Sequence, residues 1–351
     1  MGDRINNLPG RIMGIITIML LFAISSAVAE DHQAGLQGIT MTEPEMMLIR
    51  SLEEIVENRM DSALSGIEAL LRTAPNFRLA HLIKGDLLLA RSRPISSMGA
   101  TAEAAQQLLD DLREEARARV QRHQAPVPQD MTPRYLLQMQ PEQKYAVVAD
   151  TGKSRLYLYE NVDGQARYLT DYYISSGRNG SKKLKEGDKK TPIGVYFVTA
   201  NLSPKKLSDF YGGKAFPINY PNEWDTREGR SGFGIWLHGT PSNTYSRPPL
   251  ASDGCLVLAN EDLGRLAARL QVGITPVIIS EQVEWIEPAD AAKLREHLTW
   301  RLEHWRRTWE SGNLDAYIAN YGDGFSSDNP DLAEWAQHKG QVDVSRNRVK
   351  V

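Results

Sequence analysis

The sequence predicts an α+β protein in which a helical region precedes a β-rich domain and a second helical segment follows it. Three observations predict this. Apolar residues recur at helical spacing from Glu43 to Arg93, the period then drops from near 3.6 to 2 beyond a proline-bearing stretch, and a helical stripe returns from Ala291. At 351 residues the chain has room for about two or three folded units. A hydrophobic share of 41% and a charged share of 24% are those of a globular protein. With 41 Lys and Arg against 44 Asp and Glu, and a formal charge of -3, the chain lacks the basic excess of a general nucleic-acid binder.

Residues 1–29 read as a signal peptide. Arg4 and Arg11 precede an apolar run from Ile12 to Ile24, and small residues lead to a cleavage site after Ala29. The run is shorter than the roughly 20 residues that span a bilayer, which favours export to the periplasm with cleavage over a retained anchor. The helical region is expected at 40–125. Met47, Leu48, Leu52 and Ile55 form one stripe, Ala63, Leu64, Ile67 and Leu70 a second, and Leu79, Ala80, Ile83 and Leu87 a third beyond the break at Pro75 and Asn76. The helix, turn and helix around Ala69 to Pro75 resemble one tetratricopeptide-type unit; a helical hairpin packed on a neighbour is the plainer reading. A further helix is expected from Thr101 to Gln124, with Glu103, Glu115, Arg119 and Arg122 among the charges on one face. Residues 126–143 read as a linker.

The β-rich domain is expected at 144–282. Tyr145 to Asp150 and Arg155 to Glu160 flank a turn at Thr151 to Lys153, and further strands are expected at Arg167 to Ser175, Val195 to Ala200, Gly234 to His238 and Pro276 to Ser280. A polar loop with Gly177, Gly180 and Gly187 carries Arg178, Lys182, Lys183, Lys185, Lys189 and Lys190. It lacks the order of a phosphate-binding P-loop and reads as a solvated mobile loop, or as a lip that attracts an anionic substrate.

The chain has one cysteine, Cys255, which excludes an internal disulfide, a Cys-based zinc site and a CxxC redox centre. Such a thiol is either a buried small hydrophobe or a nucleophile. Its neighbourhood favours the second. His238 ends an apolar strand, a loop-like stretch follows, and Cys255 lies in Ser252-Asp253-Gly254-Cys255. An imidazole on a nearby strand end can take the thiol proton, and a sharp turn at Gly254 can aim the amides of Gly254 and Cys255 at a developing oxyanion. The pattern suggests a Cys/His acyl-transfer site.

His238-Gly239 followed by Ser252-x-Gly254-Cys255 resembles the signature of the L,D-transpeptidase (YkuD-like) catalytic domain. Thr191-Pro192-Ile193-Gly194-Val195-Tyr196, Ser176-Gly177 and the hairpin from Val148 to Tyr159 resemble further segments of it. Two positions depart: Asp253 stands where the family often has His, and Val257 where it often has Arg. The resemblance implies chemistry on peptidoglycan stem peptides without a cofactor or metal. Cys255 attacks the carbonyl of the third stem residue and expels the terminal D-alanine, and the thioester passes to an amine or to water. His238 serves as base and then acid, the Gly239 carbonyl orients it, and Ser252 supports the turn. Asp253 opposes thiol ionisation unless solvated or paired. Cross-linking, lipoprotein attachment, carboxypeptidase trimming and hydrolysis of an envelope linkage share this first half-reaction, with a slight preference for transpeptidation. A non-catalytic envelope scaffold, recruiting envelope proteins through the helical region, is the other class.

At 290–351 a helix from Ala291 to Glu310 carries Leu294, Leu298, Leu302, Trp305 and Trp309 on one stripe. With Asn313, Tyr317 and Tyr321 it resembles the opening part of a nuclear-transport-factor-2-like (NTF2-like) domain. His297 and His304 share a helix face but have no further His or Cys to complete a metal site.

Overall fold

The computed structural model describes residues 41–99, 106–128, 130–322, 325 and 335. The signal-peptide reading at 1–29 and Glu103 lie outside the described residues, as does most of the segment beyond Gly322. The chain divides into two compact units, one formed by residues 1–129 with 139–284 and the other by 130–138 with 285–351. Among the described residues no helix is long and apolar enough to cross a membrane.

The first unit opens with helices α1 (Glu43–Val56), α2 (Met60–Thr73), α3 (Arg78–Ala90) and α4 (Gln106–Gln124). Pro44 fits the start of α1, where its missing N–H costs nothing, and Glu43 and Glu45 suit the positive end of the helix dipole. The three apolar stripes converge as read from the sequence: Leu48, Ala63, Ile67, Leu70, Phe77, Leu79 and Ala80 are wholly buried in one core. The charged helix α4 behaves differently. Glu115, Arg119 and Arg122 are buried in the fold rather than solvated. Arg119 pairs with Glu45 and Glu115, and its guanidinium lies 4.0 Å from the ring centroid of Tyr173. Arg122 reaches Asp171, which Arg155 also binds at 2.9 Å. Burial alone would raise the Asp171 carboxyl, but Arg122 and Arg155 outweigh it and hold it at about 2.

The rest of the chain supplies, in order, β1 (Thr132–Pro133), β2 (Tyr145–Asp150), β3 (Arg155–Val162), β4 (Gln165–Tyr173), β5 (Ser176–Gly177), β6 (Gly194–Phe197), β7 (Ala215–Pro217), α5 (Glu223–Arg227), β8 (Trp236–His238), β9 (Leu250–Ser252), β10 (Leu256–Val257), α6 (Asn260–Ala267), β11 (Pro276–Ser280), β12 (Trp285–Ile286), α7 (Pro288–Glu310) and α8 (Leu314–Ile318). The main sheet has the order β4-β3-β2-β11-β6, with β2 and β11 parallel. Alternation places Val147, Ala149, Leu156, Leu158, Val277 and Ile279 in one core, while Ala146, Val148, Tyr157 and Tyr159 are buried as well. A second sheet, β10-β8-β7, joins β8 and β10 in parallel, and β5 pairs with β9. Strands β7, β9 and β10 are two or three residues long, too short for periodicity to show them.

In the second unit β1 pairs antiparallel with β12, so part of the stretch read as linker is an ordered strand. Helix α7 starts at Pro288, and Leu298 and Leu302 of its expected stripe are exposed. Its far end carries an aromatic cluster in which Trp305 packs on Trp309 and Tyr317, and Tyr317 on Tyr321. His297 and His304 stack on either side of Trp300, and among the described residues no group of His, Cys, Asp or Glu is arranged to hold a metal.

Candidate active site

The parallel pairing of β8 with β10 sets Val257 opposite His238 and Leu256 opposite Leu237. Cys255, which immediately precedes β10, thereby falls next to Trp236 at the start of β8, two places along the strand from His238. Between them the chain makes a loop from Gly239 to Pro249 and the short strand β9. The turn before the cysteine is built around Gly254, at φ +126, where a Cβ would come within 2.7 Å of the Lys190 carbonyl. Ser252 Oγ donates to the Cys255 carbonyl at 2.7 Å and accepts the Gly254 amide at 3.1 Å. Thr191 Oγ1 donates to the Gly254 carbonyl at 3.0 Å and accepts the Gly177 amide at 2.9 Å. The Ser176-Gly177 and Thr191-Pro192 segments are thus a brace beneath the nucleophile turn.

His238 is buried, and its Nδ1 lies 2.7 Å from the Gly239 carbonyl. That acceptor requires an Nδ1–H, which leaves Nε2 with its lone pair. Gly239 has no room for a side chain: a Cβ would lie 2.0 Å from Asn260 Oδ1, which accepts the Thr240 amide at 3.0 Å. The imidazole packs edge-on to Tyr211 at 5.0 Å and near Phe210 at 6.0 Å between ring centroids. Burial pushes its pKa down to about 4 against the lift from the Gly239 carbonyl, and the Arg247 cation pushes the same way as burial.

Cys255 is half-buried, and its thiol donates to the Gly234 carbonyl at 3.3 Å. Burial pushes it up to about 11 although the Trp236 amide and Arg247 favour the thiolate. Both shifts favour the neutral forms, a thiol and an imidazole, over a thiolate and imidazolium pair. Exposed Asp253 is paired with Arg178 at 2.9 Å.

A family model described as the L,D-transpeptidase catalytic domain, YkuD, matches residues 144–279, and one described as the Cds6 C-terminal NTF2-like domain matches residues 297–351. Bd1075 of Bdellovibrio bacteriovorus is similar at 31% identity over 63% of this chain and 79% of that one, with a TM-score of 0.55. The chain belongs to the YkuD L,D-transpeptidase family. The helical cell shape determining protein Pgp2 from Campylobacter jejuni is similar at 25% identity over 61% of this chain and 73% of that one, with a TM-score of 0.52. No curated protein sequence matches at a significant level. The fold class read from the sequence, a β-rich YkuD domain between helical segments, is the one observed.

Within this family frame, three features of the site were not visible in the sequence. Phe210 and Tyr211 come from a single 3-10 turn at Asp209–Tyr211, and Arg247 comes from the loop between His238 and Cys255; none lies in a recognisable motif. The polar loop at 178–190 folds around Lys183, while Lys182, Lys185 and Lys189 stay exposed. Lys183 is buried, and its Nζ donates to Asp188 at 2.7 Å and to the Lys185 carbonyl at 3.0 Å. Val257, at the position where the family often has Arg, is buried within β10.

Proposed function

We propose that the protein is a cysteine-dependent acyltransferase of the cell envelope that acts on peptidoglycan stem peptides. One observation carries this reading: a half-buried thiol at a braced glycine turn, on the strand paired with the one that ends in an imidazole whose Nδ1–H is committed to a backbone carbonyl. His238 Nε2 takes the Cys255 proton as sulfur bonds to the third-residue carbonyl carbon. The Gly254 amide already donates to Ser252 Oγ, which leaves the Cys255 amide to meet the oxyanion. The tetrahedral species collapses with cleavage of the C–N bond, and the imidazolium returns its proton to the departing amine. A thioester remains on Cys255. Its attack by an amine gives transpeptidation, the outcome the family name supports. Water gives a trimmed stem, and this second reading is favoured by Val257, which is buried and offers no donor to hold an incoming amine. The likeness to Pgp2, a helical cell shape determining protein, supports a part in cell shape.

The test is incubation of the purified protein with tetrapeptide muropeptides, alone and with a D-amino acid. Dimers or exchange products establish transfer to amines; tripeptide in both arms establishes hydrolysis. Cys255→Ala should abolish either product, and His238→Ala should slow single-turnover acylation about 10²–10⁴-fold. Turnover retained in Cys255→Ala would overturn the reading.

A further inference from the structure

Arg247 takes no part in the bond-making steps above, yet it is closely held. Its carbonyl accepts both the Tyr173 hydroxyl and Ser175 Oγ at 2.9 Å. On one side of it Ser246 Oγ donates to buried Glu115 at 2.5 Å, and Tyr245 stacks on Phe77 with ring centroids 4.3 Å apart. The guanidinium lies 4.5 Å from the centroid of Phe210, the ring that packs near His238. Its charge bears on both His238 and Cys255. Arg247 forms no ion pair among the described residues, and the acid nearest the nucleophile, Asp253, is taken by Arg178. A half-buried guanidinium fixed on a ring face and without a carboxylate is a ready anion site.

We propose that Arg247 binds the C-terminal carboxylate of the donor peptide, so that the site selects a one-residue leaving group with a free α-carboxylate. This rests on the acyl-transfer reading. One residue spans about 3.5 Å, so such a carboxylate stays close to the scissile amide, and the Arg247 guanidinium lies on the Phe210 ring that packs near His238. A longer leaving peptide carries its carboxylate away, and a carboxamide lacks the charge that the guanidinium fork recognises. Buried Val257 cannot serve this end from the other side.

The experiment compares a stem tetrapeptide ending in a carboxylate with the same peptide ending in a carboxamide, using the wild type, Arg247→Gln and Arg247→Lys. The wild type should prefer the acid by about 10–100-fold in kcat/KM. Arg247→Gln should lose that factor on the acid and change on the amide by less than about threefold, with Arg247→Lys between. An unchanged acid-to-amide ratio in a folded Arg247→Gln protein overturns the proposal while leaving acyl transfer standing. Wild-type protein that consumes neither peptide overturns acyl transfer and the proposal with it. Inhibition of the wild type by D-alanine against D-alaninamide needs no variant: selective inhibition by the acid supports the subsite, and equal inhibition or none refutes it.

Discussion

Two loops flank Cys255, and they are held in different ways. The loop at 178–190 is tied to itself: Asp188 binds Lys183 and accepts the amides of Leu184, Lys185 and Lys190. Burial would raise the Asp188 carboxyl, but Lys183 and these amides hold it well below the usual carboxylate range. The loop at 239–249 has little structure of its own beyond a turn at Pro241 to Thr244. It is held from two sides: in the β-rich domain Asn260 accepts the Thr240 amide, Asp209 accepts the Ser242 amide, and Tyr173 and Ser175 donate to the Arg247 carbonyl, while in the helical region Asn76 accepts the Tyr245 amide at 3.3 Å and donates from Nδ2 to the Ser242 carbonyl at 2.9 Å, Tyr245 packs against the helical core, and Ser246 binds Glu115. The difference gives the helical region a physical role inside the catalytic unit. It supports, from one side, the loop that carries Arg247.

The strongest way to break this contrast is Glu115→Ala. The change removes the acceptor of Ser246 and one of two carboxylates on buried Arg119, and loss of one partner in a buried ionic group typically costs about 3–5 kcal/mol. We expect a lowered denaturation midpoint, slower acylation, and faster hydrogen exchange at the Tyr245 amide. The Leu184 and Lys190 amides should keep their protection. Equal loosening of both loops would show that the helical region supports the whole domain without distinction.

The converse variant is Asp188→Ala, which leaves Lys183 without its carboxylate and three amides without their acceptor. A cost of about 2 kcal/mol is expected, since the loop is partly solvated and water can replace some of these bonds. Exchange should now rise at Leu184 and Lys190 while the Tyr245 amide stays protected. Because the Lys190 carbonyl backs the Gly254 turn, acylation should also slow, without a change in the preference for a donor carboxylate. A changed preference would mean that the cation that reads the donor lies in this loop.

How much of this was legible in the sequence follows from how each feature is encoded. The apolar stripes of α1 to α3 and the alternation in β2 and β3 are periodic, and both cores appear where periodicity put them. His238-Gly239 and the Ser252–Cys255 turn each lie in a short motif because a strand end and a tight turn need particular residues side by side. The scaffold of the 239–249 loop is not local. Tyr245 meets Phe77 and Ser246 meets Glu115 only after the chain has folded, and a helix that alternates Glu and Arg looks the same whether its charges meet water or one another. Arg247 was hidden for the same reason, as one arginine among loop residues.

The smallest expected effect, and the finest test of the contrast, is on the pH profile of acylation. Burial pushes His238 down to about 4 and Cys255 up to about 11, so the proposed acyl transfer would start from neutral imidazole and neutral thiol. Protonation of His238 removes the base, so the rate should fall only as pH drops through about 4, and it should be flat from about pH 5 to 9. Arg247 disfavours the imidazolium and also favours the thiolate, to which Lys183 adds less, so the acid edge of the plateau answers to the 239–249 loop while the alkaline edge answers to both. Removing the cation in Arg247→Gln relieves the imidazolium and should move the acid limb to higher pH. Asp188→Ala leaves Arg247 untouched and should leave the acid limb in place. Single-turnover acylation by a carbapenem, followed by intact mass across pH, reads both limbs without needing the acceptor. A rate that climbs tenfold per pH unit between 6 and 9 would mean that the thiolate forms by simple ionisation, with no proton transfer to His238.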